Sequence, residues 1–240
     1  MLKIIAHRGA SAYAPENTFA AFEKARSMGA NCIEFDVMLS ADGEPFIFHD
    51  TMLNRTTNGS GGLGRAHSDY VRTLDAGSWF SENFQSEPVP TLSDVLAWLL
   101  QFDMQANIEI KAYPGYVKET TIAVLSALNS SWPHDKPLPL VSSFNREALT
   151  LCRTLSPEMP IGMLLHKWED DWYVTAENLA ATTVHLCWKV VTAARVKAIL
   201  EKKYLVYVYT INSCRQALYL DKLGVNAVFS DYPDLLADYC

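Results

Sequence analysis

The stretch 31-NCIEFDVML-39 decides how the chain is interpreted, because it combines a buried β-strand with two charged side chains. Glu34 and Asp36 are two residues apart, so in a strand both carboxylates leave the same face. The residues between and around them are apolar and leave the other face, toward covering helices. This pattern predicts a buried parallel strand that carries polar chemistry on its inner side.

Short runs with the composition of buried strands recur along the rest of the chain, and segments of helical period separate them. Eight such βα units in about 250 residues match a (β/α)8 barrel, whereas an open doubly wound sheet usually stops at about six strands. The predicted fold class is therefore α/β, a TIM barrel. The predicted strands are 3–7, 31–39, 106–111, 138–142, 160–165, 183–189, 204–210 and 226–230.

The predicted helices carry start and stop signals at their ends. Side chains that cap helix N-termini precede most of them, and glycines suited to a left-handed C-cap follow two of them. The fifth helix, at about 175–181, has the weakest signals. The proposed caps are Asn17 or Thr18, Thr91 with Asp94 three residues later, Asn145, Thr192, Asn212 or Ser213, and the glycines Gly29 and Gly224.

One stretch breaks the alternation of strands and helices. Residues 51–90 are weakly periodic and include 58-NGSGGLG-64, which predicts a small insertion after strand 2. Since barrel active sites are built from loops at the carboxyl ends of strands, this insertion is a candidate lid or substrate wall. A solvated decoration explains the composition equally well. In either case we expect residues 1–240 to form a single catalytic barrel domain.

The composition of the chain disfavours some classes of partner and indicates a cellular location. Twenty Lys and Arg against 27 Asp and Glu leave a net charge of -7, which disfavours nucleic acid and anionic membranes as partners. No apolar run approaches the roughly 18 residues that a membrane helix needs, and the N-terminal run is too short for a signal peptide. Five scattered cysteines favour reduced thiols. We therefore expect a cytoplasmic protein with no membrane insertion. Barrel exteriors often pair, so a homodimer is a candidate assembly, although no helix face identifies a seam.

Charged residues crowd the predicted strand ends. Glu34, Asp36 and Glu109 would face one barrel interior, where mutual repulsion and loss of solvent oppose ionisation of all three. One divalent cation would resolve the conflict, and carboxylate oxygens favour Mg²⁺ or Ca²⁺. The alternative is an internal salt-bridge network with Arg8 and Lys111. If a cation is present, the same two basic side chains would complete a clamp for a phosphoryl group.

Two histidines are placed near these carboxylates. His7 ends strand 1. If Asp42-Gly43 is a two-residue hairpin turn, paired positions sum to 85, and His49 lies opposite Asp36. A single histidine is more often structural, but two that converge on a carboxylate cluster predict general acid and general base roles. The set as a whole predicts metal-assisted phosphoester chemistry.

These residues belong to a series of motifs that resembles the signature of glycerophosphodiester phosphodiesterases, and the resemblance runs almost end to end. It is most similar to the cytoplasmic bacterial branch, whose members also carry Asp75-Ala76-Gly77-Ser78-Trp79 in an insertion. Several motifs in the right order are far more specific than any one alone. They are His7-Arg8-Gly9, Pro15-Glu16-Asn17-Thr18, Gly29-Ala30, Glu34-Phe35-Asp36-Val37, Asp42-Gly43, His49-Asp50, Pro90-Thr91-Leu92, Glu109-Ile110-Lys111, Ser143-Phe144, Thr210-Ile211-Asn212 and Ser230-Asp231-Tyr232-Pro233-Asp234.

The resemblance implies a reaction and a role for each matched residue. It implies cleavage of a glycerophosphodiester, such as glycerophosphocholine or glycerophosphoethanolamine, to sn-glycerol 3-phosphate and an alcohol. The neighbouring glycerol hydroxyl would attack phosphorus, and water would open the resulting cyclic phosphate; direct attack by water is the alternative. The implied roles are metal ligation by Glu34, Asp36 and Glu109, acid–base catalysis by His7 and His49, and phosphate binding by Arg8 and Lys111.

Three aromatic side chains are candidates for the substrate pocket. Phe144 and Tyr209 are predicted to line it, and Tyr209 stands where many relatives carry Trp. Trp188 is interpreted instead as a core residue. Asp50 is expected to orient His49 or its turn, and Asn17 to cap a helix rather than contact the metal shell.

Two other functions remain open. A phospholipase acting on intact lipid would use similar chemistry, but the insertion lacks a marked apolar rim for docking on a membrane. A non-catalytic barrel that binds phosphodiesters would be favoured by the loss of a histidine or a carboxylate, yet all seven matched positions are present. Turnover of glycerophosphocholine, as against tight binding, separates the two classes.

Overall fold

A computed structural model describes residues 2–113 and 115–235, and eight parallel strands in it close into a barrel. Within the described residues, helical structure follows the first seven of these parallel strands, which confirms the predicted TIM barrel. In strand order β1-β9-β8-β7-β6-β5-β4-β2, the pairing of β1 with β2 closes the ring. The strands are β1 (Lys3–His7), β2 (Cys32–Leu39), β3 (Pro45–Ile47), β4 (Gln105–Ile110), β5 (Leu140–Ser143), β6 (Ile161–Leu165), β7 (Thr183–Cys187), β8 (Leu205–Tyr209) and β9 (Ala227–Ser230).

The ninth strand, β3, is antiparallel to β2 and forms a hairpin whose register differs from the prediction. Paired positions sum to 84 rather than 85, as in Val37 with Ile47. The turn is longer than two residues because the Ser40 and Glu44 backbones bond to each other across a three-residue loop that ends at Gly43, with φ 86°. The prediction that His49 pairs with Asp36 in this hairpin is therefore wrong, since Phe48 N–H donates to the Asp36 carbonyl and His49 lies beyond the strand.

Most of the predicted helix caps are confirmed. Thr18, Thr91, Asn145 and Thr192 each accept a hydrogen bond from a backbone N–H in the first turn of their helix, so at the first helix the cap is Thr18 and not Asn17. Gly29 and Gly224 have positive φ, at 86° and 88°, as predicted. The helices are α1 (Phe19–Ser27), α2 (Ser68–Val71), α3 (Leu92–Gln101), α4 (Val117–Ser131), α5 (Arg146–Leu155), α6 (Trp172–Asn178), α7 (Ala193–Glu201) and α8 (Cys214–Lys222).

The end of β7 differs from its prediction. The strand stops at Cys187, and a 3-10 turn, Trp188–Val190, replaces the predicted last residues. Trp188 is 48% exposed, so its interpretation as a core residue is wrong. The predicted fifth helix begins and ends about three residues earlier, as α6. Among the described helices, none has both the length and the apolar character that crossing a membrane requires.

Residues 51–90 pack against the β2–β3 hairpin rather than against the barrel wall as a whole. They contain α2 and the 3-10 turns Leu53–Arg55, Leu63–Arg65 and Glu82–Phe84. Their apolar side chains, with Met38, Phe46 and Phe48 of the hairpin region, form a cluster separate from the main core. The hairpin therefore fixes the insertion beside the carboxyl end of β2, where His49 and Asp50 connect the two.

Candidate active site

Three carboxylates meet inside the barrel near the carboxyl ends of β2 and β4. Glu34 and Asp36 lie on one face of β2, and Asp36 is the register partner of Glu109 on β4. One oxygen from each group lies within 4.8 Å of the others. Their residues are 3%, 1% and 8% exposed, so the cluster is almost fully removed from water.

Burial and mutual repulsion act differently on the three groups. Burial raises the pKa of Glu34, and the negative charges of Asp36 and Glu109 raise it further. Burial and then Asp36 also raise the pKa of Glu109, against the opposing effect of Lys111 and Arg8. Burial would raise the pKa of Asp36 too, but the charges of Arg8 and Lys111, with a hydrogen bond from Asn17, outweigh it and lower that pKa. Asp36 is thus the carboxylate that the protein's own cations stabilise, and the other two are left uncompensated.

This donor set fits a hard divalent cation. Glu109 Oε1 is buried and has no hydrogen-bond partner among the described residues. The ion-pair network considered as the alternative reaches mainly Asp36, through Arg8 Nε at 3.4 Å and Lys111 Nζ at 3.8 Å. Lys111 is 3.9 Å from Glu109, and within the described part of the chain the Glu34 side chain accepts only the Arg8 backbone N–H, at 2.9 Å. The basic side chains therefore do not neutralise Glu34 and Glu109. A divalent cation bound by the carboxylate oxygens would supply the missing positive charge.

Arg8 and Lys111 border the carboxylates from two sides. Arg8 follows β1 in a left-handed backbone conformation, φ 56°, which directs its N–H to Glu34 while Nη1 donates to Glu16 at 2.7 Å. Lys111 follows β4 and contacts His49 as well as Asp36. Both predicted phosphate-binding groups are thus within the site, with one planar fork and one point charge facing the same space.

His49 has both ring nitrogens engaged. Its Nδ1 lies 2.6 Å from Asp50 Oδ1, and its Nε2 lies 2.5 Å from Lys111 Nζ. Because an ammonium group only donates, Nε2 holds the lone pair and Nδ1 carries the proton toward Asp50. Burial lowers the pKa of His49, and the positive charges of Arg8 and Lys111 add to that effect against Asp36 and Asp50. We name His49 with Asp50 the His49 arm.

His7 ends β1 and is held by a residue that follows the neighbouring strand β9. Its Nδ1 lies 2.7 Å from Asp231 Oδ1, directly after β9, so we name this pair the His7 arm. Burial alone would raise the pKa of Asp231, but hydrogen bonds with His7, Asn212 and Ser11 outweigh it and lower the pKa to about 2. Asp231 is therefore an ionised partner that fixes the His7 ring, with Nε2 left for chemistry.

A cavity of about 260 Å³ joins these groups. All nine residues predicted for the site line it, including Phe144 and Tyr209, whose rings meet edge to face at 5.8 Å between centroids. Tyr209 also donates to the Leu165 carbonyl, which fixes its ring against the wall. A larger cavity of about 400 Å³ lies at the amino ends of the strands, around Lys3 and Gln105. Barrel enzymes carry their chemistry at the carboxyl ends, and the smaller cavity holds the titratable cluster.

Several contacts at the site were missed by sequence reasoning. Asn17, interpreted as a helix cap, instead donates to Asp36 at 2.9 Å. Arg55, in the insertion, bridges Asp50 and Glu16. Asp231 and Glu16 belong to motifs of the family resemblance, but the sequence predicts no contact for either side chain. The order of motifs along the chain does not show which carboxylate faces which basic group. Asp50 does contact His49, as expected.

Comparison with known proteins places this geometry in a family. Residues 7–235 match the family described as "Glycerophosphoryl diester phosphodiesterase family". A glycerophosphodiester phosphodiesterase of Bacillus subtilis is 34% identical over 96% of this chain and 84% of its own length. Another, from Caldanaerobacter subterraneus, is 32% identical over 97% of this chain and 95% of its own length.

Solved structures agree with these sequence relatives. A phosphodiesterase of Oleispira antarctica, in complex with the product sn-glycerol-3-phosphate, is 38% identical, with a TM-score of 0.95 over 98% of this chain and 95% of that chain. A glycerophosphodiester phosphodiesterase of Agrobacterium tumefaciens is 30% identical, with a TM-score of 0.83 over 99% of this chain and all of that chain.

Fold and site together define an enzyme, a barrel hydrolase that acts on phosphodiesters. The chain belongs to the glycerophosphoryl diester phosphodiesterase family, as the resemblance of its motifs predicted.

Proposed function

We propose that this protein hydrolyses water-soluble glycerophosphodiesters, such as glycerophosphocholine and glycerophosphoethanolamine, to sn-glycerol 3-phosphate and an alcohol. The observation that carries the proposal is the pair of carboxylate-held histidines, His7 and His49, on one cavity with a three-carboxylate cluster. The product complex of the Oleispira antarctica phosphodiesterase supports the choice of glycerol 3-phosphate as the retained half.

Glu34, Asp36 and Glu109 are the residues that would hold one divalent cation, Mg²⁺ or Ca²⁺. Bound there, the cation supplies positive charge for the phosphoryl oxygens as negative charge builds on them. Asn17, which donates to Asp36, orients that carboxylate and so acts as a positioning residue.

Arg8 and Lys111 bind and orient the phosphoryl group in this proposal. Arg8 offers its fork of donors from the β1 end, and Lys111 offers an ammonium group from the β4 end. When a phosphoryl oxygen replaces His49 as the acceptor for Lys111, His49 Nε2 is released with its lone pair available. Phe144 and Tyr209 pack against the apolar part of the substrate and exclude water.

The two histidines then divide the proton transfers. His49 Nε2 accepts the proton of the attacking hydroxyl, since the ring is neutral with its other nitrogen bonded to Asp50. His7 donates a proton to the oxygen of the departing alcohol, and Asp231 stabilises the charged ring. The attacking group is the neighbouring glycerol hydroxyl, giving a cyclic phosphate that water opens with the roles of the histidines reversed.

The test is release of glycerol 3-phosphate from glycerophosphocholine by protein stripped with a chelator and then supplied with Mg²⁺ or Ca²⁺. We expect release only after a cation is restored. Folded protein that releases no glycerol 3-phosphate with either cation would contradict the proposed reaction. A rapid-quench search for the cyclic phosphate separates the two routes of attack, because direct attack by water forms none.

The assignment to soluble substrates also has a direct comparison. Intact lipid in vesicles should be cleaved far more slowly than glycerophosphocholine, because most exposed residues of the insertion are polar or charged and its exposed large apolar side chains are few, Met52, Tyr70 and Trp79. A cytoplasmic location and a homodimer stay predictions. Cell fractionation and light scattering test them.

A further inference from the structure

Two polar atoms in the floor of the active-site cavity have no partner among the described residues. They are Asn107 Oδ1 and His185 Nδ1, and their residues are 2% and 0% exposed. A buried polar atom without a hydrogen bond costs free energy, so natural interiors rarely leave one unpaired. Both residues line the cavity that holds the carboxylates and the two histidines.

Asn107 and His185 lie deeper in the barrel than the phosphoryl-binding groups. Asn107 is two residues before Glu109 on β4, which places it about 7 Å deeper in the barrel than that carboxylate. His185 lies on β7, three strands away around the ring from β4. The two side chains therefore approach the cavity from different sides, below the level of the phosphoryl-binding groups.

The barrel makes room for the His185 ring. A Cβ on Gly162 of the adjacent strand would lie only 2.7 Å from His185 Cε1 and Nε2, so only glycine fits at that position. Tyr207 stacks on the imidazole at 5.0 Å between centroids, and Phe229 packs against it at 5.2 Å. The ring is thus held in one orientation by groups that leave Nδ1 free.

The hydrogen bonds already made define what the floor can bind. Asn107 Nδ2 donates to Ser142 Oγ at 2.9 Å, which leaves its Oδ1 as an acceptor. Thr183 Oγ1 lies 2.7 Å from His185 Nε2, and when this hydroxyl donates, the neutral ring carries its proton on Nδ1 as a donor. One acceptor and one donor, both uncharged, match a hydroxyl group, which donates once and accepts through its lone pairs.

We propose that Asn107 and His185 form a subsite for the terminal hydroxyl of the glycerol moiety, and that this subsite makes the enzyme selective for glycerol over diesters that lack the hydroxyl. The inference rests on the proposed function. In this proposal phosphorus is held between Arg8 and Lys111, the hydroxyl on the adjacent carbon is beside the phosphoryl group, and the terminal hydroxyl extends toward Asn107 and His185, which line the same cavity.

The experiment compares glycerophosphocholine with its terminal deoxy analogue, 2-hydroxypropyl phosphocholine, which keeps the attacking hydroxyl. For the wild type, we expect kcat/KM to be about 10- to 100-fold lower for the analogue, because the floor atoms then lose their partner. In Asn107→Leu and in His185→Phe, which keeps the aromatic stack, the two substrates should approach equal kcat/KM. Leu164→Met, at an apolar position of the same cavity, should keep the wild-type ratio.

A ratio near one in the wild type, as expected if the floor holds only water, would overturn the proposal. So would variants that slow both substrates equally, since that is the mark of a structural role. Calorimetric binding of sn-glycerol 3-phosphate against 2-hydroxypropyl phosphate measures the same preference without turnover. Absent hydrolysis would therefore contradict the proposed function alone, and equal binding of the two phosphates would contradict this subsite.

Discussion

The two histidine arms have the same geometry but different support. In each, the ring Nδ1 lies 2.6–2.7 Å from a carboxylate, so each ring is oriented in the same way. The His7 arm joins the ends of two barrel strands, β1 and β9, which are far apart in sequence. In the His49 arm, the carboxylate is the next residue in the chain, and Arg55 of the insertion holds it.

This difference shows which part of the fold fixes the position of each histidine ring. Barrel closure itself fixes the His7 arm, because β1 and β9 are hydrogen-bonded neighbours. The His49 arm lies after a short hairpin, and its geometry depends on ion pairs outside the ring of strands. The same pairing of a histidine with a carboxylate is thus built once from the barrel strands and once with support from the insertion.

Removing either imidazole ring is the most severe change to the two arms. We expect His7→Ala and His49→Ala each to lower kcat by about 10²- to 10⁴-fold, since each deletes one proton transfer. Thermal unfolding should show that both variants remain folded, and His134→Ala, an exposed ring away from the cavity, is the matched control. Near-normal kcat in either variant would remove that histidine from the proposed acid–base pair.

Replacing the carboxylate partner of each histidine, Asp231 or Asp50, tests how much each ring depends on that partner. Asp231→Asn should lower kcat by about 100-fold, because His7 loses the partner that orients its ring. We expect about 10-fold for Asp50→Asn, since the proposed base is neutral before it accepts a proton and an asparagine oxygen still accepts from its Nδ1–H. Steady-state kinetics should show the loss in kcat with KM little changed.

Asp234→Asn is the control for this pair, because Asp234 is near Asp231 in the chain but contacts the Tyr13 hydroxyl instead. A larger loss for Asp50→Asn than for Asp231→Asn would reverse the order of the arms. It would mean that the insertion, and not the strand ends, carries the more sensitive half.

His185 differs from the histidines of both arms because it is a buried barrel histidine with no carboxylate partner in the described chain. Burial alone lowers its pKa to about 3. The folded state therefore binds fewer protons than the unfolded state between about pH 3 and pH 6.5, and stability is lost as pH falls through that window. At pH 5 the loss amounts to about 2 kcal/mol relative to neutral pH.

Urea unfolding at several pH values, with chelator present, measures this contribution. His185→Phe should lose less stability between pH 7.5 and pH 5 than the wild type, by about 2 kcal/mol. His134→Gln should follow the wild type. Equal pH dependence in His185→Phe and wild type would show that the buried ring is protonated or solvated in the folded state.

Much of the architecture is readable from the sequence because it follows from local periodicity. Alternation in 31–39 places Glu34 and Asp36 on one face, and the structure has them there. The eight-strand count is correct for the same reason. The sequence does not determine the register of the hairpin. A loop of two residues and a loop of three can both contain Asp42-Gly43, and only the backbone conformation at Gly43 distinguishes them.

Contacts between distant segments are the part that the sequence does not show. Asn17 next to Thr18 has two capping candidates, and only the fold decides that Thr18 caps while Asn17 reaches Asp36. Trp188 follows an apolar strand, so its exposure depends on where β7 stops. Partners such as Asp231 for His7, 224 positions apart, require the barrel to be closed.

Arg55 gives the smallest and most specific test of the insertion's part in the His49 arm. Its guanidinium donates to Asp50 and to Glu16, which in turn contacts Arg8. The side chain is 43% exposed, so the ion pair is worth at most about 1 kcal/mol. We therefore expect Arg55→Met to lower kcat by about 5-fold, with Arg65→Met, an exposed arginine of the same insertion, unchanged.

The route of that effect follows from a double-mutant cycle with Asp50→Asn. If Arg55 acts only by holding Asp50, its replacement should cost almost nothing once Asp50 is already changed, because the two changes disturb the same contact. An equal loss in both backgrounds would instead place Arg55 in contact with substrate or acting through Glu16 and Arg8. The cycle thus separates an insertion that supports one histidine from an insertion that forms part of the substrate site.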